Sequence, residues 1–459
     1  MMKAWIGWTV AVSFLLLFAS EDVRAMGNVQ HAENGVGLNP AMGWSSWSFV
    51  RRDPTAAKIE AQAVALEDSG LAALGYVYVN VDDFWYQCPG SQGPSVDAYG
   101  RWETDPYKFP PQGAVNGIKV VADYVHNLGL KFGLYVTPGI SLQAVFKNTQ
   151  ILGPDGKPTV YRARDIAEPL APEHNYNCGG MVRIDFSKPG AQDFIDSWAD
   201  EFASWGVDYV KLDGVGSFDI PDVKAWSLAL RQTGRPIHLE LSNSLARRDA
   251  RVWARYSNGW RTGKDIECYC GVDGSSYPLT NWTNVAARFD QVASWWRWGG
   301  PGGFNDYDSI EVGNGSNDGL TLPERMTQLS LWALASSPLI LGTDLTHLDS
   351  TDLALLANKS VIAVDQDGID AKRISKTATS QIFAKRERNG DVIVGLFNTG
   401  AKTESITTTV SALGLRRSSA GYVLTELWTQ RSSRTTGAIE AVVPPHGVAL
   451  FRVTALAVD

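Results

Sequence analysis

Gly206-Val207-Asp208-Tyr209-Val210-Lys211-Leu212-Asp213 decides how this chain is built. It joins an amphipathic stretch at 189–205, where Phe194, Trp198, Phe202 and Trp205 recur near helical spacing, to an apolar run at 208–213 that ends on a carboxylate. Gly206 stops the helix. A helix feeding a short apolar strand is half of a parallel β/α unit, and the texture repeats along the chain. Strand-like runs at 42–47, 76–82, 132–137, 208–213, 237–242, 259–263, 303–308 and 338–343 alternate with helical patterns. One helix is expected to start with Asp53 as N-cap and Pro54 at the first helical position, carrying Ile59, Ala63 and Leu66 on one face. Eight such strands predict an α/β fold, a (β/α)8 TIM barrel, over an open doubly wound sheet. No Gly-rich dinucleotide loop follows an early strand, which further disfavours the open sheet.

After residue 367 the texture changes to short alternating runs at 381–384, 392–397, 422–428 and 447–453, with Asn389-Gly390 as the signal of a tight hairpin turn. These predict a small antiparallel β-sandwich. At the other end, Met1, Met2 and Lys3 precede an apolar run at 4–19, too short for a comfortable bilayer span. Small or compact residues at Val23, Arg24 and Ala25 place signal-peptide cleavage after Ala25, rather than an uncleaved anchor. The expected organisation is therefore a signal peptide at 1–25, a catalytic barrel at 26–367 and a sandwich at 368–459. Secretion or periplasmic export follows, with no membrane attachment once the leader is removed.

The 459 residues, 44% hydrophobic and 20% charged, have the balance of a globular enzyme. A net charge of -8 argues against a nucleic-acid partner, which requires a basic footprint. Seventeen Trp and fifteen Tyr offer flat faces of the kind that pack on sugar rings, although most aromatic side chains serve the core. Six scattered His give no ligand cluster, so neither a metal nor another cofactor is expected. Export permits disulfides among Cys88, Cys178, Cys268 and Cys270. A Cys268–Cys270 bridge would enclose one residue and strain the link, so pairing of these two with Cys88 or Cys178 is the expectation. The sequence leaves the oligomeric state open.

Barrel chemistry sits at the C-terminal ends of the strands. Asp82, Asp83, Asp213, Asp265, Asp306 and Asp308 all fall at or just beyond such ends. A single Asp after a strand is usually a cap or turn residue, but six converging on one face point to chemistry. No G-x-S-x-G elbow or Cys-His arrangement competes. Glycosidic cleavage needs two carboxyl groups in unlike environments, one ionised beside the anomeric carbon and one holding a proton for the leaving oxygen. In a strand Lys211 and Asp213 project to one face, and the cation favours the ionised form at Asp213. Asp265 lies in the loop Gly259-Trp260-Arg261-Thr262-Gly263-Lys264-Asp265, where partial burial would raise its pKa.

Four stretches carry a resemblance: Pro40-Ala41-Met42-Gly43-Trp44-Ser45-Ser46-Trp47, Val79-Asn80-Val81-Asp82-Asp83-Phe84-Trp85, Val207-Asp208-Tyr209-Val210-Lys211-Leu212-Asp213, and Gly303-Phe304-Asn305-Asp306-Tyr307-Asp308 followed by Glu311-Val312-Gly313-Asn314. In that order they resemble glycoside hydrolase family 27, the alpha-galactosidase and alpha-N-acetylgalactosaminidase family, over nearly the whole mature chain. The resemblance implies that Asp213 is the nucleophile and Asp265 the acid and base of a retaining exo-glycosidase. It implies that Asp82 and Asp83 bond the outer galactose hydroxyls, that Trp47 is the ring against which the sugar packs, and that Tyr135, Lys211, Arg261 and Asp308 are further sugar contacts. Ser242 and Leu245 match the positions at which the family tells a 2-hydroxyl from a 2-acetamido group, and here they give a mixed signal, one small and one large. Elsewhere the chain departs: Phe84 and Val215 stand where the family commonly has Cys, Thr137 replaces an acid after the third strand, and Ser309 replaces a Met. The expected activity is hydrolysis of terminal alpha-linked galactose from a carbohydrate substrate. Alpha-N-acetylgalactosaminidase, beta-L-arabinopyranosidase and isomalto-dextranase activities are the alternatives within enzymes, and an inactive glycan-binding barrel is the alternative outside them. Asp82 keeps the galactosidase pattern, which counts against the arabinopyranosidase.

Overall fold

The computed structural model describes residues 29–173, 175, 177–266, 280–313, 319–416 and 418–457. The leader at 1–25 and the pair Cys268 and Cys270 lie outside the described residues.

Eight parallel strands form the barrel: Met42–Ser45, Tyr78–Val81, Lys131–Val136, Tyr209–Asp213, His238–Ser242, Gly259–Arg261, Phe304–Asp306 and Leu339–Leu341. Seven lie within the predicted runs, and the third starts one residue before its run, at Lys131. From the first to the seventh each strand hydrogen-bonds the next in sequence, and the eighth pairs with the first. Ile310, just past the seventh strand, closes the ring: its N–H donates to Ile340 O (2.8 Å) and its carbonyl accepts from Gly342 (3.1 Å). The register sets Tyr135 beside Lys211, Lys211 beside Glu240, and Asp213 beside Ser242. Polar side chains from the fourth and fifth strands thereby meet at one end.

The barrel interior is unusually polar for a packed core. Tyr209 stacks on His238, with ring centroids 4.4 Å apart, and His238 Nε2 lies 2.9 Å from Glu240 Oε2. Space for Glu240 comes from Gly259, where a Cβ would lie 1.9 Å from the Glu240 carboxyl. Burial pushes Glu240 up to about 8 and His238 down to about 3. At neutral pH the pair is therefore a hydrogen bond between neutral groups.

Helix Ala191–Trp205 buries Phe194, Trp198, Phe202 and Trp205 on one face, and Gly206 ends it at φ 87°. The first helix begins later than predicted, at Ala56. Thr55, not Asp53, caps it by accepting from Lys58 N–H, while Asp53 pairs with the Lys58 ammonium at 2.6 Å. The short hydroxyl of Thr55 reaches the free amide, leaving Asp53 to the solvent side.

Between the third and fourth barrel strands the chain makes an excursion that the sequence reading missed. Strands Ile140–Ser141, Met181–Ile184 and Ala167–Glu173 form a small antiparallel sheet, and Gln150–Leu152 pairs with Pro158–Arg162. Cys88 and Cys178 are disulfide-bonded, Cα atoms 5.7 Å apart. This corrects the expected pairing of either one with Cys268 or Cys270. The excursion brings Gly180 against Gly93, so closely that a Cβ on Gly180 would lie 2.2 Å from Gly93 N, and the two cysteines are carried together.

Beyond the barrel, six antiparallel strands form one sheet: Lys372–Lys376, Ser380–Arg386, Val392–Asn398, Val448–Ala455, Tyr422–Glu426 and Ser432–Thr435. Glu404–Thr409 and Ala438–Val443 form a second, and Ile382, Val394, Ile406, Ile439 and Val453 pack between them. The hairpin around Asn389-Gly390 is present, but its strands end at Arg386 and Val392. The connection is thus longer than a two-residue turn: only Gly390 takes positive φ, and the Asn389 side chain accepts from Asp391 N–H. Among the described residues, no helix is long and apolar enough to cross a membrane.

Candidate active site

A cavity of about 430 Å³ opens at the C-terminal ends of the barrel strands. Trp47, Asp82, Asp83, Tyr135, Lys211, Asp213, Arg261 and Asp265 line it, together with Arg51, Asn177, Asn243, Ser244 and Lys264. Ser242 and Asp308 line a smaller chamber beneath it, of about 50 Å³, shared with Asn80, Tyr209, Glu240 and Asp306. Ser242, expected among the sugar contacts, reaches the smaller chamber and not the cavity above, and its hydroxyl is buried without a partner among the described residues. Leu245 is buried and lines neither space; Asn243 and Ser244 present that loop to the cavity instead.

Asp82 and Asp83 leave the second strand with their carboxylates fixed by unlike partners. Asp82 Oδ2 accepts from Lys211 Nζ (2.7 Å), and its Oδ1 accepts from Asp83 N–H (2.8 Å). Asp83 Oδ1 accepts from Phe84 N–H (2.7 Å) and Tyr86 Oη (2.6 Å), while Oδ2 accepts from Asn177 Nδ2 (2.6 Å). Burial pushes Asp83 up to about 6, opposed by the hydrogen bonds from Tyr86 and Asn177. Phe84 adopts φ 72° and lays its ring parallel to Trp47, centroids 6.2 Å apart. The Arg51 guanidinium lies 5.4 Å from the Trp47 ring centre. The residue standing where the family commonly has Cys thus backs the aromatic wall.

Lys211 is the electrostatic centre. Burial alone would lower its pKa, but the carboxylates of Asp82 and Asp213 more than offset this and hold it well above the usual ammonium range. It stays charged beside both acids. Tyr135 carries a buried hydroxyl with no hydrogen-bond partner among the described residues. Burial, then the charges of Asp83 and Asp213, keep that phenol protonated and able to donate.

Asp265 is held from below. Arg261 pairs with it at 2.6 Å and approaches Asp308 at 3.7 Å. Asp308, at φ 81°, accepts from Ile266 N–H (2.5 Å) and donates its own N–H to Asp306 (2.7 Å). Arg288 bonds Tyr307 O (3.0 Å) and the carbonyl of Lys264. Burial raises the Asp265 pKa and Arg261 opposes the rise, with Asp308 adding to it. Since 54% of the side chain is exposed, water on that side screens both effects. The arrangement sets one acidic side chain in the field of a buried ammonium and a second, its pKa raised by burial, around one space.

Arg51, Asn177, Asn243, Ser244 and Lys264 escaped the sequence reading. Asn243, Ser244 and Lys264 follow or flank predicted strand ends, a position that would have marked them. Asn177 had no such signal, because it arrives on the excursion.

The profile of the family described as Alpha galactosidase A matches residues 39–151 and 177–367, and that of the Alpha galactosidase C-terminal beta sandwich domain matches 377–453. An alpha-galactosidase of Cyamopsis tetragonoloba is 30% identical over 470 residues, covering 98% of this chain and 98% of the relative. Among solved structures, a β-L-arabinopyranosidase of Geobacillus stearothermophilus is similar at TM-score 0.82 and 28% identity, over 92% of this chain and 98% of its own. Alpha-galactosidase I of Mortierella vinacea is similar at TM-score 0.70 and 28% identity, over 93% and 100%.

Proposed function

The chain belongs to the alpha-galactosidase A family, and from that premise we propose how its cavity releases terminal alpha-linked galactose with retention. The protein is a glycoside hydrolase of the alpha-galactosidase type. The observation that carries the assignment of roles is the convergence of Asp213 and Asp265 on one cavity with Asp82, Asp83, Lys211 and Arg261. Asp82 and Asp83 accept the outer hydroxyls, Lys211 and Tyr135 donate to the sugar, and Trp47 covers a ring face. Asp213 attacks the anomeric carbon as the C–O bond breaks, and Asp265 gives its proton to the departing oxygen. Water then gives a proton to Asp265 and attacks the same carbon, freeing Asp213 and returning the starting anomer. Sugar filling the cavity takes water from the open side of Asp265, adding to the burial that raises its pKa. The apolar run at 4–19 supports export of the enzyme, which fractionation of an expressing cell tests.

Hydrolysis of an aryl alpha-galactoside tests the reading. The wild type is expected to turn it over with the alpha anomer of galactose appearing first by NMR, and Asp213→Asn to lose about 10³-fold or more in kcat. Wild-type turnover in the Asn variant would exclude Asp213 as nucleophile; a beta anomer first would exclude retention. The likeness to the Geobacillus enzyme favours a second reading, a β-L-arabinopyranosidase. That sugar lacks the exocyclic hydroxymethyl of galactose, so parallel assays of the two aryl glycosides separate the readings.

A further inference from the structure

We infer that the excursion after the third barrel strand is part of the sugar site, and that Asn177 is a positioning residue that fixes how many hydroxyls Asp83 accepts and from which direction. The inference rests on the proposed role of Asp83 as a hydroxyl acceptor. An ionised carboxylate has about four acceptor directions. On Asp83, Oδ1 is filled by Phe84 N–H and Tyr86 Oη, and Oδ2 takes one bond from Asn177 Nδ2 at 2.6 Å. Among the described residues one direction remains, on Oδ2. Asn177 therefore leaves Asp83 able to take a single hydroxyl along a set line, and without it the carboxylate has a looser second choice.

The chain devotes several contacts to placing this one amide. The Cys88–Cys178 bridge spans 90 residues and ties the loop carrying Asp83 to the residue next to Asn177. Asn175 donates to Tyr86 Oη (2.9 Å), the group that holds Asp83 Oδ1, and accepts from Cys178 N–H (3.0 Å). Ser141 Oγ donates to Pro94 O (2.8 Å), and Gly93 meets Gly180 backbone to backbone. The family profile passes over 152–176, the stretch that leads into this clamp. Of the clamp's residues only Asn175 falls in that stretch; Cys88, Gly93, Ser141, Asn177, Cys178 and Gly180 stand on positions the profile covers, and together they are built against Asp83.

Steady-state kinetics on aryl alpha-galactoside and aryl β-L-arabinopyranoside test it, using Asn177→Ala, Asn177→Asp and the Cys88→Ser, Cys178→Ser double variant of the full chain. Asn177→Ala is expected to raise KM about 10-fold, the scale of one hydrogen bond to a charged group, with kcat within about 3-fold. Asn177→Asp is expected to bind like wild type at acid pH, where a proton shared with Asp83 restores the bond. It should lose affinity as pH rises and that proton leaves, a pH dependence that a merely structural role would not produce. The double Cys variant should raise KM similarly and add little to Asn177→Ala, since both lose the same contact. If the double variant fails to fold, the two Asn177 variants decide alone. An unchanged KM in Asn177→Ala, on a glycoside the wild type cleaves, overturns the inference and leaves the functional reading standing. Absence of wild-type turnover on both glycosides overturns the functional reading, and this inference with it.

Discussion

Lys211 carries two duties through one ammonium: it is bonded to Asp82 at 2.7 Å and its charge is held by Asp213 as well. In the proposed reaction the first duty orients an acceptor for the sugar, and the second sets a positive charge beside the proposed nucleophile. Replacing it by Met keeps most of the stem and removes the cation, so Asp82 loses its ion pair and Asp213 the positive charge beside it. Lys211→Met should cost about 10²–10³-fold in kcat/KM at neutral pH. A kcat/KM within about 3-fold of wild type would remove Lys211 from this role. The sequence made half of this legible, because the two-residue spacing in a strand puts Lys211 and Asp213 on one face. The other half was hidden, since Asp82 lies 129 residues away and only barrel closure brings it to Lys211.

Among elements, the parallel strands were readable because a strand covered by helices is a continuous apolar run. The strands that escaped have another chemistry. Glu404–Thr409 reads Glu-Ser-Ile-Thr-Thr-Thr, and Pro158–Arg162 alternates exposed with half-buried residues, so neither offers an apolar run. Asn177 and the excursion were unreadable for the same reason. The buried carboxyl of Glu240 likewise gives no sign in sequence of being protonated, and it makes a prediction for the fifth strand. Its folded pKa of about 8 lies above its ordinary value of 4.5, because burial outweighs the hydrogen bond from Tyr209 and the charges of Lys211 and Arg261. Between those two values the unfolded chain has released the proton that the folded chain keeps. Stability should therefore be full below about pH 4.5 and fall by up to about 1.4 kcal/mol per pH unit until pH 8. Glu240→Gln is neutral throughout and should flatten this slope, read by urea unfolding at pH 5 and pH 8. Equal slopes in the variant and the wild type would show that Glu240 is ionised in the fold.

On the scale of the whole molecule, barrel and C-terminal sheet share one interior. Phe383, Ile393, Phe397 and Leu450 of the sheet belong to the same buried cluster as the barrel helices, and Phe289 packs 5.1 Å from Phe397. Lys385 pins this junction from strand Ser380–Arg386, with its ammonium fully enclosed. It donates to Ala333 O (3.1 Å), Ser336 Oγ (3.3 Å), Val364 O (2.5 Å) and Asp367 Oδ1 (2.8 Å). Lys385→Met would fill the same channel with an apolar stem but strand those acceptors, one of them a carboxylate. Breaking a buried pair from one side costs about 3–5 kcal/mol, so for a chain of this length the melting temperature should fall by roughly 3–6 °C. Lys385 lines no part of the catalytic cavity, and kcat/KM at 25 °C should stay at the wild-type value. Because the cluster runs across the junction, calorimetry should show a single transition in wild type and variant alike. Two separated transitions, with only the smaller one shifted, would instead show that the sheet unfolds independently and that the shared interior does not couple it to the barrel.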